Sequence, residues 1–257
     1  VELHPCEGVL TNVSGSKIVA DLCASNNVDA MVFISTDKAV NPTSVMGATK
    51  RIAESYCQAL DRQNFENSSN HRCRFVTVRF GNVLGSTGSV VPLFEKQLAL
   101  GGPLTVTDPN MARYFMTTRE AVELVIQSAT LDNNKKGEIY VLEMGQPIAI
   151  TEIAEQLIRL AGLRPNKDIL ITYTGLRPGE KIQEELHYKN ERFTKTKNKS
   201  IFIVKPKIES FIKLSKSLNN LIDFAKNGKV EDCYKEMSNL VPEYKKNKVE
   251  NLQKKRF

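Results

Sequence analysis

Short apolar runs rich in branched side chains alternate with longer amphipathic stretches along most of this chain, and that alternation limits the fold more than any single motif. Ala30 to Ser35 (AMVFIS), Phe75 to Phe80 (FVTVRF), Ile139 to Leu142 (IYVL) and Ile169 to Tyr173 (ILITY) are compact enough to prefer strand, with a shorter one at Leu104 to Thr107. Between them Val9 to Asn26, Val45 to Gln63, Leu93 to Leu100, Thr118 to Ala129 and Thr151 to Ala161 predict helices. Thr117 or Thr118 can cap the fourth of these and Thr151 the fifth, with Glu120 and Glu152 in the first turns. Alternation of this kind builds an α/β sheet of parallel strands covered by helices. After His187 the pattern changes: FTKTKNKS reads as a linker or exposed loop, and Phe211 to Lys226 and Val230 to Leu240 as amphipathic helices. The coarse result is a three-layer α/β body with a helical tail.

At 257 residues, 41% hydrophobic and 25% charged, the chain can bury a core of ordinary globular kind. No apolar run approaches the roughly 18 residues a membrane span requires. The start, VELHPCEGVL, has no basic region leading into an apolar stretch, as a secretory signal would. Its first residue is Val, which suggests a partial reading frame or a processed piece. Cys6, Cys23, Cys57, Cys73 and Cys233 are scattered, and His4, His71 and His187 form no cluster with them, so no metal site is expected. Scattered thiols fit a reducing cytoplasm. The net charge of +7 belongs to the C-terminal end: from residue 187 on, 18 Lys and Arg face 8 Asp and Glu, leaving −3 for the rest. A lysine-rich tail without a nucleic-acid motif reads as solvated helix faces, with docking on a membrane surface or acidic partner as the alternative. Nucleic acid is not an expected partner.

The most informative segment is STDKAVNPTSVMGATK, Ser35 to Lys50. It sets Ser35, Thr36, Asp37 and Lys38 directly after a buried strand, and ligands of open α/β sheets bind at such strand ends. Lys50 follows on the first turns of the next helix, which can bring both lysines toward one pocket. The same residues could instead form a plain turn and cap, with solvated lysines.

Asn12 within TNVSGS, then STDKAVNPTSVMGATKR, VRFGNVLGSTGSVVPLF, RYFMT, GLRPGEK and LVPEY follow one another in this order. In these motifs the chain resembles the CapD-like polysaccharide-biosynthesis proteins, the UDP-N-acetylglucosamine 4,6-dehydratase group of the extended short-chain dehydrogenase/reductase family. The resemblance is weakest between Asn190 and Lys229. It implies a partial Rossmann-like, doubly wound parallel sheet lacking its first strands, a small α/β substrate-binding region and a helical C-terminal tail. Residues 1–85 would be the end of the cofactor-binding domain with the catalytic segment. Residues 86–190 would mainly bind substrate, with 111–145 returning to the Rossmann sheet, and 191–257 would form a basic helical tail.

The implied activity is a lyase reaction on a UDP-sugar in surface-polysaccharide biosynthesis, with NAD, in preference to NADP, as a recycled hydride carrier. A hydride leaves sugar C4, the C5 proton and the C6 hydroxyl are lost as water, and the hydride returns at C6. An acid and a base must then work side by side. On this resemblance Asp37 is the acid at the C6 hydroxyl, Lys38 the base at C5 and Thr36 a hydrogen-bond partner of the C4 oxygen. Lys50 would hold the nicotinamide ribose, with Ser35 and Asn12 ordering the cofactor side. Met46 occupies the position of the superfamily's usual Tyr. A thioether carries no titratable proton, so Asp37 or a water would serve as base at C4. Met at this place is familiar in the dehydratase subgroup.

GNVLGSTG, from Gly81, spaces its glycines as G-x-x-x-G-x-x-G, unlike the G-x-G-x-x-G that builds a dinucleotide turn. In the family this loop faces the nucleotide-sugar, with Asn82 near the diphosphate and Ser89 and Val90 along the substrate; a plain crossover loop is the alternative. Arg113 and Arg177 would neutralise the diphosphate, and Glu180 would line the same wall or pair with a surface charge. The family's glycine-rich pyrophosphate turn has no counterpart in this sequence. The chain alone is therefore expected to bind NAD poorly and to expose a sheet edge. Three readings follow: an incomplete dehydratase that assembles with a complementing N-terminal half or as a homo-oligomer, an inactive fragment, or a nucleotide-sugar-binding module. The expected location is the cytoplasm, with the inner face of a membrane as an alternative for the intact protein.

Overall fold

The computed structural model describes residues 1–26, 28–66, 73–86, 88–131, 137–188, 191, 193–205 and 209–245. The helix predicted from Val9 begins earlier and comes in three pieces: α1 (Pro5–Val9), a π-helical turn (Leu10–Gly15) and α2 (Ser16–Ser25). Pro5 suits the first helical position, where its missing N–H has no partner to lose. The wide turn carries Asn12, whose Nδ2 donates to Thr49 Oγ1 at 3.0 Å, tying this rod to the next helix. Strand β1 (Ala30–Ile34) follows, then a 3-10 turn (Asp37–Ala39), α3 (Val45–Glu66) and β2 (Arg74–Arg79).

Next come β3 (Asn82–Val83), α4 (Val90–Ala99), β4 (Leu104–Val106), β5 (Ala112–Arg113), β6 (Phe115–Met116), α5 (Thr118–Thr130) and β7 (Ile139–Leu142). They are followed by β8 (Ile148–Ala149), α6 (Ile150–Leu160), β9 (Ile171–Tyr173), β10 (Thr194–Lys195), β11 (Ile201–Val204), α7 (Phe211–Lys226) and α8 (Val230–Leu240). Thr117 caps α5, accepting from the Glu120 N–H at 3.2 Å. Thr151 does not cap α6. That helix begins after Ala149 without a side-chain cap, and the Thr151 hydroxyl donates to the Pro109 carbonyl instead.

The main sheet runs β1-β2-β7-β11-β10. β1, β2 and β7 are parallel, with Ala30 opposite Arg74 and Thr77 opposite Ile139, whereas β11 runs antiparallel to β7 and β10 antiparallel to β11. The stretch read as a linker and the residues just after it are thus sheet, not tail. Ile201 and Val204 are fully buried, and Ile201 pairs with Leu142. The apolar run IFIV was hidden because its flanks are crowded with lysines. β1 ends the sheet, and among the described residues no strand pairs with its other edge. Ile34 at the end of β1 and Ile18 and Leu22 on α2 are 42%, 55% and 56% exposed.

Helices α7 and α8 do not hang free. Leu214, Leu218 and Leu221 share one core with Val9, Val13, Ile52 and Tyr56, and burying such side chains is worth about 1.5–3 kcal/mol each. A second core, around Phe94, Leu104 and Ile158, holds the smaller region in which β3 pairs with β6, β4 with β9 and β5 with β8. Of residues 111–145, α5 and β7 return to the main sheet, while β5 and β6 stay with the smaller region. All five cysteines are free thiols, and no described helix is long and apolar enough to cross a membrane.

Candidate functional site

The ends of β1 and β2 present the site. The Ser35 N–H donates to the Val78 carbonyl at 2.8 Å and the Asp37 N–H to the Phe80 carbonyl at 3.0 Å, so the polar segment is fixed as a continuation of the strand. Thr36 then caps the 3-10 turn. Close packing of α3 against this turn depends on Gly47, where a Cβ would lie 2.1 Å from the Lys38 carbonyl oxygen. Glu2, absent from the sequence reading, caps the start of α3: its Oε1 accepts from the N–H groups of Val45 at 2.7 Å and Met46 at 3.4 Å.

Asp37 is fully buried. Its Oδ1 accepts from Thr36 Oγ1 at 2.8 Å and from Lys38 Nζ at 3.0 Å, while Oδ2 is buried without a hydrogen-bond partner. Lys38 also donates to Asn82 Oδ1 at 3.0 Å, which joins the loop after β2 to the strand-end triad. Lys38, Met46, Asn82, Arg113, Arg177 and Glu180 line one open cleft of about 400 Å³. A smaller hollow of about 150 Å³ continues from it past Val90 and shares Asn82, Arg113, Arg177 and Glu180. Ser89 stands at the N-cap of α4 with its Oγ buried and unpartnered.

Several expected residues turn out to be committed elsewhere. Arg113 donates to the carbonyls of Ala112, Lys181 and Ile182 at 2.8–2.9 Å and lies 3.7 Å from Glu180. Glu180 accepts from the Arg177 N–H at 3.0 Å and so shapes the RPGEK turn. That turn docks on the start of α3, where the Thr43 hydroxyl donates to the Gly179 carbonyl at 2.8 Å. Gly179 has φ +76°, and a Cβ there would meet Ser44 at 2.9 Å. Arg177 is the exposed arginine of this wall and lines both hollows.

Lys50 does not line the cleft with Lys38. Because the Ser35 N–H faces β2, the Ile34 carbonyl faces the open edge of β1, and Lys50 Nζ donates to it at 3.1 Å. The ammonium also sits 5.0 Å from the Phe33 ring. Burial lowers its pKa, opposed by Glu54 and Cys57. Asn12 reaches the site only through Thr49, which in turn donates to the Met46 carbonyl at 3.0 Å.

Behind the strand lies a cluster that sequence reasoning missed. Ser35 Oγ donates to Glu54 Oε1 at 2.6 Å, and Arg79 grips the same carboxylate through Nε at 2.7 Å and Nη2 at 2.6 Å. Arg51 adds a contact at 3.3 Å, and Arg79 Nη1 lies 3.8 Å from Glu191. Burial alone would raise the Glu54 carboxyl, but Arg79, Arg51 and Ser35 more than reverse it and hold it below the usual range. The one visible signal was an arginine inside the apolar run FVTVRF. A second missed residue, Glu184, is a buried carboxylate lining the cleft.

The sequence pattern of the polysaccharide biosynthesis proteins matches residues 1–206. The capsular polysaccharide biosynthesis protein CapD of Staphylococcus aureus is 48% identical over 213 residues, covering 83% of this chain and 34% of CapD. An inverting UDP-N-acetylglucosamine 4,6-dehydratase of Campylobacter jejuni is 32% identical over 81% of this chain and 58% of its own length. A UDP-glucose 4-epimerase of Rickettsia canadensis is 37% identical over 72% of this chain and 51% of its own. Among solved structures, Pen from Bacillus thuringiensis superimposes with a TM-score of 0.69 at 35% identity, covering 79% of this chain and 61% of Pen. A dTDP-glucose 4,6-dehydratase from Streptomyces venezuelae, solved with NAD bound, shares the fold at 20% identity and TM-score 0.57, over 69% of this chain and 57% of its own. The chain spans about a third of the length of CapD and 58% or less of the two sugar-nucleotide enzymes.

Proposed function

We propose, from the premise that this chain belongs to the polysaccharide biosynthesis protein family, that it carries the catalytic part of a nucleotide-sugar 4,6-dehydratase of UDP-N-acetylglucosamine type. The observation that carries this reading is the Asp37–Lys38 pair at 3.0 Å, held by Thr36 and Asn82, with Lys38 lining the cleft. Moving one proton from Lys38 to Asp37 turns the ion pair into a neutral amine beside a protonated acid. The amine takes the C5 proton of the 4-ketone, the C5–H electrons form the C5–C6 double bond, and the Asp37 proton leaves with the C6 hydroxyl as water. The pair ends as ammonium and carboxylate, ready for the next cycle. Thr36 steers the C4 oxygen, and Met46 contributes shape and no proton.

NAD, when bound, supplies the hydride acceptor for C4 and the donor for C6. Residues for its nicotinamide-ribose end are present: Lys50 offers an ammonium at the open edge of β1, supported by Ser35 and Asn12 through their neighbours. The sequence has no G-x-G-x-x-G turn for the pyrophosphate. On the substrate side Arg177, Asn82 and the Ser89–Val90 start of α4 face the diphosphate, where arginine and helix N–H groups favour negative charge. Arg113 and Glu180 keep that wall in place.

The test is turnover of UDP-N-acetylglucosamine by the purified chain with NAD, followed by NMR for a 4-keto-6-deoxy sugar. Because the sequence has no pyrophosphate turn, slow turnover that needs a large excess of NAD is expected, with product falling about 10²–10⁴-fold in Asp37→Asn and in Lys38→Ala. A C4-epimerised sugar would replace this reading with the epimerase chemistry named for the Rickettsia relative. Sugar binding without turnover would make the chain a binding module.

A further inference from the structure

The chemistry above leaves one buried acid of the cleft without a task. Glu184 follows the RPGEK turn, lines the same cleft as Lys38, Met46 and Asn82, and has a side chain only 4% exposed. Its Oε2 has no hydrogen-bond partner. The nearest cation, Lys181 Nζ, is 3.8 Å away and is already drawn to the Val40 carbonyl at 2.8 Å and to Glu185 at 3.9 Å. The charged groups facing Glu184 are Lys38 and Asp37 from the 3-10 turn, Arg113 from β5 and Lys181 from its own segment. Burial, the largest influence, raises its carboxyl above the usual range; Lys38, Arg113 and Lys181 pull it down, and Asp37 adds to the rise.

Asp37 Oδ2 is in the same condition, so two buried acceptor atoms stand unsatisfied around one Lys38. A buried carboxylate without donors is costly, so a donor from outside the chain, water or ligand, is expected at it. If Glu184 were simply the anchor of Lys181, a direct bond near 2.8 Å would be expected rather than 3.8 Å. The missing partners are hydrogen-bond donors, and among the described residues no group of three metal-ligating side chains forms beside them. A pyranose does supply such donors, as hydroxyl and acetamido N–H groups.

We infer that Glu184 is a substrate-contacting residue of the sugar subsite, its carboxylate accepting a hydrogen bond from a hydroxyl or amide N–H of the pyranose opposite Asp37. The inference rests on the nucleotide-sugar reading above. It assigns Glu184 to the sugar and not to the diphosphate, because an acidic side chain repels phosphate.

Calorimetry with UDP and with UDP-N-acetylglucosamine on the full chain separates the two parts. For Glu184→Ala the affinity for the sugar nucleotide is expected to fall about tenfold, to near that for UDP, while UDP binding stays unchanged. Glu184→Gln keeps an acceptor oxygen and nearly the same shape, so about a threefold loss confined to the sugar nucleotide is expected. It decides the matter alone if the alanine variant does not fold. Equal losses for both ligands, or no loss for either, overturn the inference and leave the nucleotide-sugar reading standing. A wild-type chain that binds neither ligand overturns both.

Discussion

Two sets of ionisable side chains meet at the C-terminal end of β1, and their construction differs. Behind the strand, Glu54 is fully buried and saturated: Arg79 holds it bidentately, Arg51 and Ser35 add bonds, and the ring of Tyr188 lies 5.9 Å from the Arg79 guanidinium. In front, Asp37 and Glu184 each keep a buried oxygen unpartnered while sharing the field of Lys38. In the rear cluster both Glu54 oxygens are satisfied and the atoms left without a partner, Arg79 Nη1 and Glu191 Oε1, lie on its far side, whereas in front the unpartnered atoms belong to the two acids themselves. A satisfied buried pair costs most when broken, whereas an unsatisfied group is already under strain and loses little stability when neutralised.

The sharpest way to break this contrast is Glu54→Ala. It leaves Arg79 charged and buried, and a loss of about 3–5 kcal/mol in urea unfolding is expected, against less than about 1 kcal/mol for Asp37→Asn. Similar losses for the two would mean that the clusters are not built differently. Next in size is the pH behaviour of Lys50. Its pKa is lowered in the folded chain, so between that lowered value and the ordinary 10.5 the unfolded chain binds a proton the folded chain has released. Wild-type stability relative to Lys50→Met therefore climbs as pH rises through this window and levels off above it. A flat difference from pH 7.5 to 10.5 would show an ammonium as well solvated as in water. The smallest effect sharpens the comparison from outside the site. Arg119 and Glu123 pair at 2.7 Å on the exposed face of α5, and Arg119→Ala should cost no more than about 0.5 kcal/mol in the same unfolding assay.

Much of the body was legible because its signals are local. β7, α7 and α8 fall on the residues that periodicity picks out, and β1, β2 and α3 differ only at their ends. The triad Thr36–Asp37–Lys38 was legible too, since adjacent residues at the end of a buried strand share one surroundings. β11 was not, because its four apolar residues lie within a lysine-rich stretch whose average charge suggests solvent. The placement of Lys50 away from Lys38 was equally hidden: which way a helix turns its lysine depends on the packing of α3, set by Gly47 against the Lys38 carbonyl and by Asn12 from the π-helical turn.

The sequence by itself determined the order of the longer strands and helices, the polar segment that ends β1 and the family to which the chain belongs. Only the tertiary structure decided that Glu54 finds Arg79, that IFIV closes onto β7 and that Glu184 lines the cleft with Lys38. The physical reason is range. Propensity and periodicity act over a few neighbouring residues, whereas the partner of a buried charge is chosen by whatever the folded chain brings within 3 Å of it, across any separation in sequence.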